Sequence, residues 1–488
     1  MQPVDVPAAP LELLGELLPI ARWDRLVVNT ARARDLLVGR VVWNVSATAE
    51  GGGVAEMLHT LLAYARGAGV DTRWLVLDPD PEFFAITKRI HNALHGSADG
   101  QGDGSSEGVQ ELGAPEHEHY ERVLRDNLAE LTTLVRRGDI VLLHDPQTAG
   151  LVEGMRAAGA HVIWRCHIGR DDPDATSDRG WAFLQGYLQE ADAFVFSRRD
   201  YVPDWVASEK VRIIAPSIDP FSAKNRDLDD GEVASVLRRV GLIGDGVPDR
   251  HDEPAPVEFT RRDGTVGAVR RHTDLMVGRP PPAGARLVVQ VSRWDRLKDM
   301  AGVLSAFADH IVPSAPDVHL VLAGPDVSGV SDDPEGAQVF AACEAAWARL
   351  PEKARDRCHL ACIPMDDVDE NAIIVNALQR RATVVVQKSL QEGFGLTVTE
   401  AMWKSRPLLA SAIGGIKDQI TDGIEGLLLP DPRDLPGFAK RLQVLLDDPV
   451  ASERMGRSGH RRVRDDFLGD RHLISYLDLF VDLIGRAS

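Results

Sequence analysis

Val384-Val385-Val386-Gln387-Lys388-Ser389-Leu390-Gln391-Glu392-Gly393-Phe394-Gly395-Leu396-Thr397-Val398-Thr399-Glu400 is the stretch on which the fold turns. A β-branched run, a loop with two glycines and a helical pattern from about Leu396 make one strand–loop–helix step of a parallel sheet. The glycines allow close approach to a ligand, and the N–H groups of Gly395 and Leu396 open a helix, where phosphate oxygens are favoured. Glu400 falls about one turn inside that helix, where a carboxylate can accept two ribose hydroxyls. Glu392 lies on the loop, with seven residues between it and Glu400. A plain turn with an acidic first helical turn would account for Glu400 alone, but not for the whole string.

Upstream, the same step recurs at Leu287–Val291, Leu320–Ala323 and His359–Cys362, and downstream at Pro407–Ala410. An earlier series runs through Arg40–Val45, Trp74–Leu77, Ile140–Leu143, Val162–Trp164 and Ala193–Phe196. The expected class is α/β, with two Rossmann-like doubly wound domains facing across a cleft. We expect an N-terminal domain at 1–216, a second domain at 217–470 with an insertion at 244–284, and a helix at 471–488 returning to the first. Pro216 and Pro220 mark the crossing, and 97–108 reads as an exposed Gly/Ser/Asp loop.

Ligands of such sheets sit beyond the carboxyl ends of the strands. Two further groups occupy such places. Gly51-Gly52-Gly53 follows the first strand and precedes a helix, which suits a phosphate or sugar, although a flexible turn is the commoner meaning of three glycines. Arg293 and Lys298 follow the strand ending at Val291, where a planar fork and a point charge could neutralise a diphosphate; a solvated basic turn reads equally well.

Composition narrows the class. Of 488 residues, 55 are Lys or Arg and 74 are Asp or Glu, a net charge of −19 that disfavours nucleic acid and anionic membranes as partners. Four cysteines cannot staple so long a chain, no apolar run approaches the ~18 residues of a membrane helix, and the first residues carry acids where an export signal carries bases. A cytoplasmic location is expected. His91 and His95 lack the glutamate of a zinc helix, and Cys358 and Cys362 sit in a strand-like run without a second pair, so no metal site is expected. Asp78-Pro79-Asp80 and Asp171–Asp174 read as turns. The absence of G-x-G-x-x-G argues against a dinucleotide oxidoreductase, and a sugar-binding protein without catalysis would not need Arg293, Lys298, Glu392 and Glu400 together.

The stretch from Gln391 to Lys404 resembles the donor motif of retaining GT-B glycosyltransferases. Trp43-Asn44-Val45, Gly51–Leu58, Phe83–Leu94, His144-Asp145-Pro146-Gln147, Trp164-Arg165-Cys166-His167-Ile168, Asp333–Gly336 and Gly414-Gly415-Ile416 narrow the resemblance to trehalose glycosyltransferring synthases. That resemblance implies transfer of glucose from a nucleotide diphosphate glucose to free glucose, forming α,α-trehalose reversibly. Arg293 and Lys298 would hold the donor diphosphate, Glu392 would lie near the donor sugar and His167 beside the reacting carbon. Gly52, Gly53, Gly393, Phe394, Gly395, Leu396 and Glu400 would bind the donor, with its base near Pro364. Asp145, Gln147, Trp164 and Asn92 would bind the acceptor. The resemblance implies no tightly bound cofactor; Mg2+ is compatible with the donor but required by no motif, and a homodimer is expected. One departure is Gly169, where the family pattern has an acid. A retaining trehalose phosphorylase and a same-fold transferase with another sugar acceptor are the alternatives.

Retention by double displacement would need a carboxylate nucleophile near the anomeric carbon. The resemblance implies front-face attack assisted by the departing diphosphate instead, with the cations acting electrostatically.

Overall fold

The computed structural model describes all residues except 50–51, 97–111, 245–256, 262–263, 273–274, 328–333 and 488. Gly51, the loop at 97–108, Asp333 and parts of 244–284 therefore lie outside the described residues. The chain forms two compact units, Met1–Ile218 with Phe467–Ser488, and Asp219–Asp466.

The first unit is built on a seven-stranded sheet: β1 (Gln2–Val4), β2 (Val42–Ser46), β3 (Thr72–Val76), β4 (Ile140–His144), β5 (His161–Cys166), β6 (Ala193–Phe196) and β7 (Val211–Ile213). Their order is β1-β3-β2-β4-β5-β6-β7, and every pair is parallel except β1 with β3. Continuous apolar runs such as Ile140-Val141-Leu142-Leu143 belong to strands covered on both faces. Val141 and Leu143 point into a cluster with Phe83, Tyr120, Trp164 and Phe196. Ile140 and Leu142 face the other way, with Ile163 and Val195, against Tyr476, Leu479, Phe480 and Leu483 of the helix Gly469–Ala487. The last element of the chain thus covers one face of the first unit's sheet.

In the second unit the strands are β8 (Glu258–Thr260), β9 (Val266–Ala268), β10 (Met276–Val277), β11 (Arg286–Val291), β12 (Val318–Pro325), β13 (Cys358–Ile363), β14 (Val384–Gln387), β15 (Leu408–Ser411) and β16 (Leu427–Leu429). The sheet order is β10-β13-β12-β11-β14-β15-β16, parallel apart from β10. The region read as an insertion is therefore not wholly peripheral: Met276–Val277 extends the sheet edge, and β8–β9 forms a hairpin. In the same region Arg261 is held by Asp367, 2.6 Å from its Oδ2.

In each unit the strand order reverses beside the first parallel strand, between β2 and β4 and between β11 and β14. The loops leaving those strands open the crevice where doubly wound sheets bind ligands.

Candidate active site

The second unit brings Lys298 and Glu392 together. Lys298 lies in the loop after β11 and Glu392 in the loop after β14, and Lys298 Nζ is 2.7 Å from Glu392 Oε2. Ser389 Oγ donates to the same oxygen at 3.2 Å. The two loops are stitched from behind: Gln290 Nε2 donates to the Lys298 carbonyl at 2.7 Å, the Lys388 N–H donates to Gln290 Oε1 at 3.2 Å, and Leu390 N–H to the Leu297 carbonyl at 2.7 Å. Lys388, buried, pairs with Asp299, a left-handed residue (φ 46°) that caps the following helix through Gly302 N–H. Such cross-bracing fixes a side chain's position before any ligand arrives.

The Arg293 side chain is 46% exposed and, among the described residues, pairs with Asp295 at 3.5 Å. It lies on the same loop as Lys298, yet the pair is not a matched clamp: Lys298 is held by a carboxylate at 2.7 Å and Arg293 is largely exposed.

Gly395 has φ 87° and caps the helix Leu396–Trp403. A Cβ there would stand 3.1 Å from Ile416 Cγ1 and 3.2 Å from Glu392 Cγ, so glycine is demanded by conformation and by space. Gln419 pins the turn, donating to the Phe394 carbonyl at 2.6 Å while accepting from Thr399 Oγ1 at 2.7 Å. The Gly415 N–H donates to the Gly393 carbonyl at 3.0 Å. Glu400, 2% exposed, pairs with Lys224 at 3.0 Å. Lys224 carries no motif and its place beside Glu400 was invisible in the sequence. Pro364 directly follows β13, and its carbonyl accepts from Asn371 Nδ2 at 2.9 Å.

The first unit gathers a second group. Register pairs His144 with Arg165 at the carboxyl ends of β4 and β5. Asp145 then adopts φ 63°, ψ 179°, a conformation costly for any residue with a side chain. Among the bonds that hold it, its N–H donates to the Arg165 carbonyl at 2.8 Å, its carbonyl accepts from Trp164 Nε1 at 3.1 Å and its Oδ1 accepts from the His167 N–H at 2.7 Å. His144 Nδ1 lies 3.3 Å from His167 Nε2, and its Nε2 lies 3.2 Å from Asn44 Oδ1. Burial pushes the Asp145 carboxyl up to about 7, against the His167 N–H and Arg165. Burial, reinforced by Arg165, pushes His144 down to about 3 and His167 well below the usual histidine range. His167 is therefore neutral at ordinary pH and serves as a hydrogen-bonding group rather than a cation.

Among the residues expected on the acceptor side, Asp145 and His167 are brought together. Gln147 is partly buried in the short helix Pro146–Leu151, and Asn92 sits on the helix Pro81–Leu94 beside His91. Trp164 lies in the core. It is 0% exposed, its ring packed edge-on among Trp181, Phe194 and Phe196, and it acts through its N–H on the Asp145 carbonyl. Gly52 is the extended cap of the helix Gly53–Gly67, with both glycines exposed. Asp80 and Asp174 prove to be helix caps, accepting from the N–H groups of Phe83 and of Thr176 and Ser177.

Comparison with known proteins agrees with this layout. Residues 44–203 match the family described as trehalose synthase, N-terminal domain, and residues 275–462 match glycosyl transferases group 1. The trehalose synthase of Rubrobacter xylanophilus is 35% identical over 476 residues, covering 97% of this chain and 95% of its own. This chain belongs to the trehalose synthase family.

It is accordingly a glycosyltransferase of the GT-B type. A trehalose phosphorylase of Pleurotus pulmonarius is 26% identical over 93% of this chain and 58% of its own. The fold is shared with the α,α-trehalose 6-phosphate synthase of Burkholderia multivorans, with a TM-score of 0.64 at 14% identity over 92% of this chain and all of that one. Against the trehalose synthase pattern, Gly169 now has a reason: a Cβ there would stand 2.2 Å from Tyr201 Cγ, so the buried tyrosine occupies the room an acid would need. Among the described residues no group of acids, histidines and cysteines could hold a metal ion, and no helix is long and apolar enough to cross a membrane.

Proposed function

We propose that this glycosyltransferase moves glucose from a nucleotide diphosphate glucose to free glucose with retention, forming α,α-trehalose reversibly. The observation that carries the reading is the Lys298–Glu392 pair, 2.7 Å apart at the strand-order reversal of the second unit and beside the helix opened by Gly395. A cation, a carboxylate and an open helix end are the groups needed to grip a sugar diphosphate. In this reading Lys298 and the exposed fork of Arg293 face the leaving diphosphate, with the N–H groups of Gly395 and Leu396. Glu392 receives a hydroxyl of the donor sugar, Glu400 the ribose hydroxyls, and the loop at Pro364 the base. The first unit supplies Asp145 and neutral His167 for the acceptor glucose.

In the transfer the bond from the anomeric carbon to the diphosphate oxygen breaks on the face where the bond to the acceptor oxygen forms. The acceptor's hydroxyl proton passes to the departing diphosphate. The cations stabilise the charge that grows there, which is where electrostatic catalysis is strongest.

The second reading is a phosphorylase. It draws on the phosphorylase relative and on Glu400, whose carboxylate is paired with Lys224 at 3.0 Å. One assay separates the two. Free glucose is offered with UDP-, ADP- and GDP-glucose and trehalose is followed; in parallel, trehalose is offered with inorganic phosphate or with each nucleoside diphosphate. Trehalose formed from a nucleotide donor supports the proposal, and cleavage driven by phosphate alone overturns it.

A further inference from the structure

Arg165 is 0% exposed, and among the described residues no carboxylate lies within ion-pair distance of it. Its nitrogens meet neutral groups instead: His167, Tyr476 Oη, His472 Nε2 at 3.4 Å, the Ile214 carbonyl at 3.3 Å and Met57 Sδ at 3.7 Å. A guanidinium so enclosed is a costly way to fill a core, and an apolar side chain would fill it more cheaply. What an apolar side chain cannot do is donate a hydrogen bond to a ring nitrogen.

His472 and Tyr476 are one helical turn apart on Gly469–Ala487, their rings stacked 5.4 Å apart. His472 is itself tied down by Ser217 Oγ, 2.8 Å from its Nδ1. The last helix of the chain therefore grips the far end of Arg165, and the near end, Nε, lies 3.1 Å from His167 Nε2 and 3.4 Å from its Nδ1.

We propose that Tyr476 and His472, acting through Arg165, are positioning residues that fix which nitrogen of His167 carries its proton. Arg165 can only donate. The nearer nitrogen, Nε2, is therefore the acceptor, and the proton sits on Nδ1. His144 Nδ1, 3.3 Å from the same lone pair, donates to it only with the Asn44 amide reversed, since the structure places the acceptor Asn44 Oδ1 3.2 Å from His144 Nε2. The groups facing His167 are Arg165, His144, His472 and Asp145; the first three all oppose a charge on the ring, and the Asp145 carboxyl is engaged by the His167 N–H. On the glycosyl-transfer reading above, this leaves His167 with one N–H to donate to a sugar oxygen.

The test labels histidine with nitrogen-15 in the full chain and follows the ring nitrogens from pH 8 to pH 5, with His167→Gln to assign the signal. Wild type is expected to show His167 as one neutral tautomer, protonated on Nδ1, throughout. Tyr476→Phe removes only the hydroxyl that holds Arg165; it is expected to mix the His167 tautomers and to lower kcat for trehalose formation about 5- to 50-fold, with the donor KM changed less than 3-fold. Arg165→Met is expected to do both more strongly, and Tyr476→Phe decides if that variant does not fold. The proposal is overturned if wild-type His167 carries its proton on Nε2 or titrates near pH 6.5. It is equally overturned if Tyr476→Phe shifts the melting temperature while leaving the His167 signals unchanged. The tautomer reading needs no turnover, so a wild type that makes no trehalose would sink the functional proposal and leave this one to stand or fall on the spectra.

Discussion

Asp145 concentrates the tension between stability and function. Its backbone conformation is one that glycine adopts without strain, and strain of this kind costs about 1–3 kcal/mol. Asp145→Gly is therefore expected to keep or raise the melting temperature while trehalose formation falls at least 100-fold; loss of stability with full activity would contradict the assignment. The carboxyl also sets a pH slope. Its folded value of about 7 lies above the unfolded one, so the folded state holds a proton that the unfolded state has released, and Asp145 weakens the fold as pH rises from about 4 to 7. His144 and His167 act oppositely, weakening it as pH falls below their unfolded value of about 6.5. Melting scans of Asp145→Asn against wild type should show the variant gaining steadily across pH 4–7. For Lys298, removal of the cation by Lys298→Ala should lower kcat about 100- to 1,000-fold, as for other groups that stabilise a leaving charge, with the KM for glucose little changed. Near-normal turnover would remove it from the chemistry. The site was legible in the sequence where a residue type sits at a strand's carboxyl end, as Lys298, Glu392, Asp145 and His167 do. It was illegible where the meaning lies in a long-range partner. Lys224 and Glu400 are far apart in the chain, as are Arg165 and Tyr476, and no spacing announces either pair. The burial of Trp164 was likewise unannounced, because residues of a strand alternate between its two faces and the letters of a motif do not say which face each takes.

At the scale of elements, the parallel strands were readable because burial on both faces leaves unbroken apolar runs such as Leu287–Val291. The edge strands were not. β1 and β10 have three and two residues, pair antiparallel and have too little length to show a pattern. The turn into Leu396–Trp403 carries the sharpest expectation. Gly395→Ala would force a side chain into a left-handed position and against Ile416 and Glu392, at about 1 kcal/mol or more. We expect donor KM to rise with little change in the far-ultraviolet circular dichroism. In the last helix, Leu479 is buried against the sheet, and Leu479→Ala should cost about 2–5 kcal/mol. Calorimetry and hydrogen exchange should show that loss in Met1–Ile218 and the C-terminal helix. Unchanged protection there would mean the helix does not hold the sheet's face.

For the molecule as a whole, the charge of −19 would give the proposed anionic donor no general attraction, so on that proposal affinity would rest on a few local cations and one helix end. The second unit holds most of these, and nucleotide-glucose should slow hydrogen exchange around β11, β14 and Leu396–Trp403. The chain order of the units has a consequence for synthesis. The first unit's sheet is complete by Ile213, yet the helix that covers Ile140, Leu142, Ile163 and Val195 is made only after Asp466. At roughly 5–20 residues per second, that leaves an apolar sheet face on the ribosome for on the order of ten seconds to a minute. The second unit is contiguous and can close in that interval. The nascent chain therefore passes through a state in which its later half is folded while its earlier half still waits for its final residues. That state is the one in which chaperones would be needed and aggregation would begin.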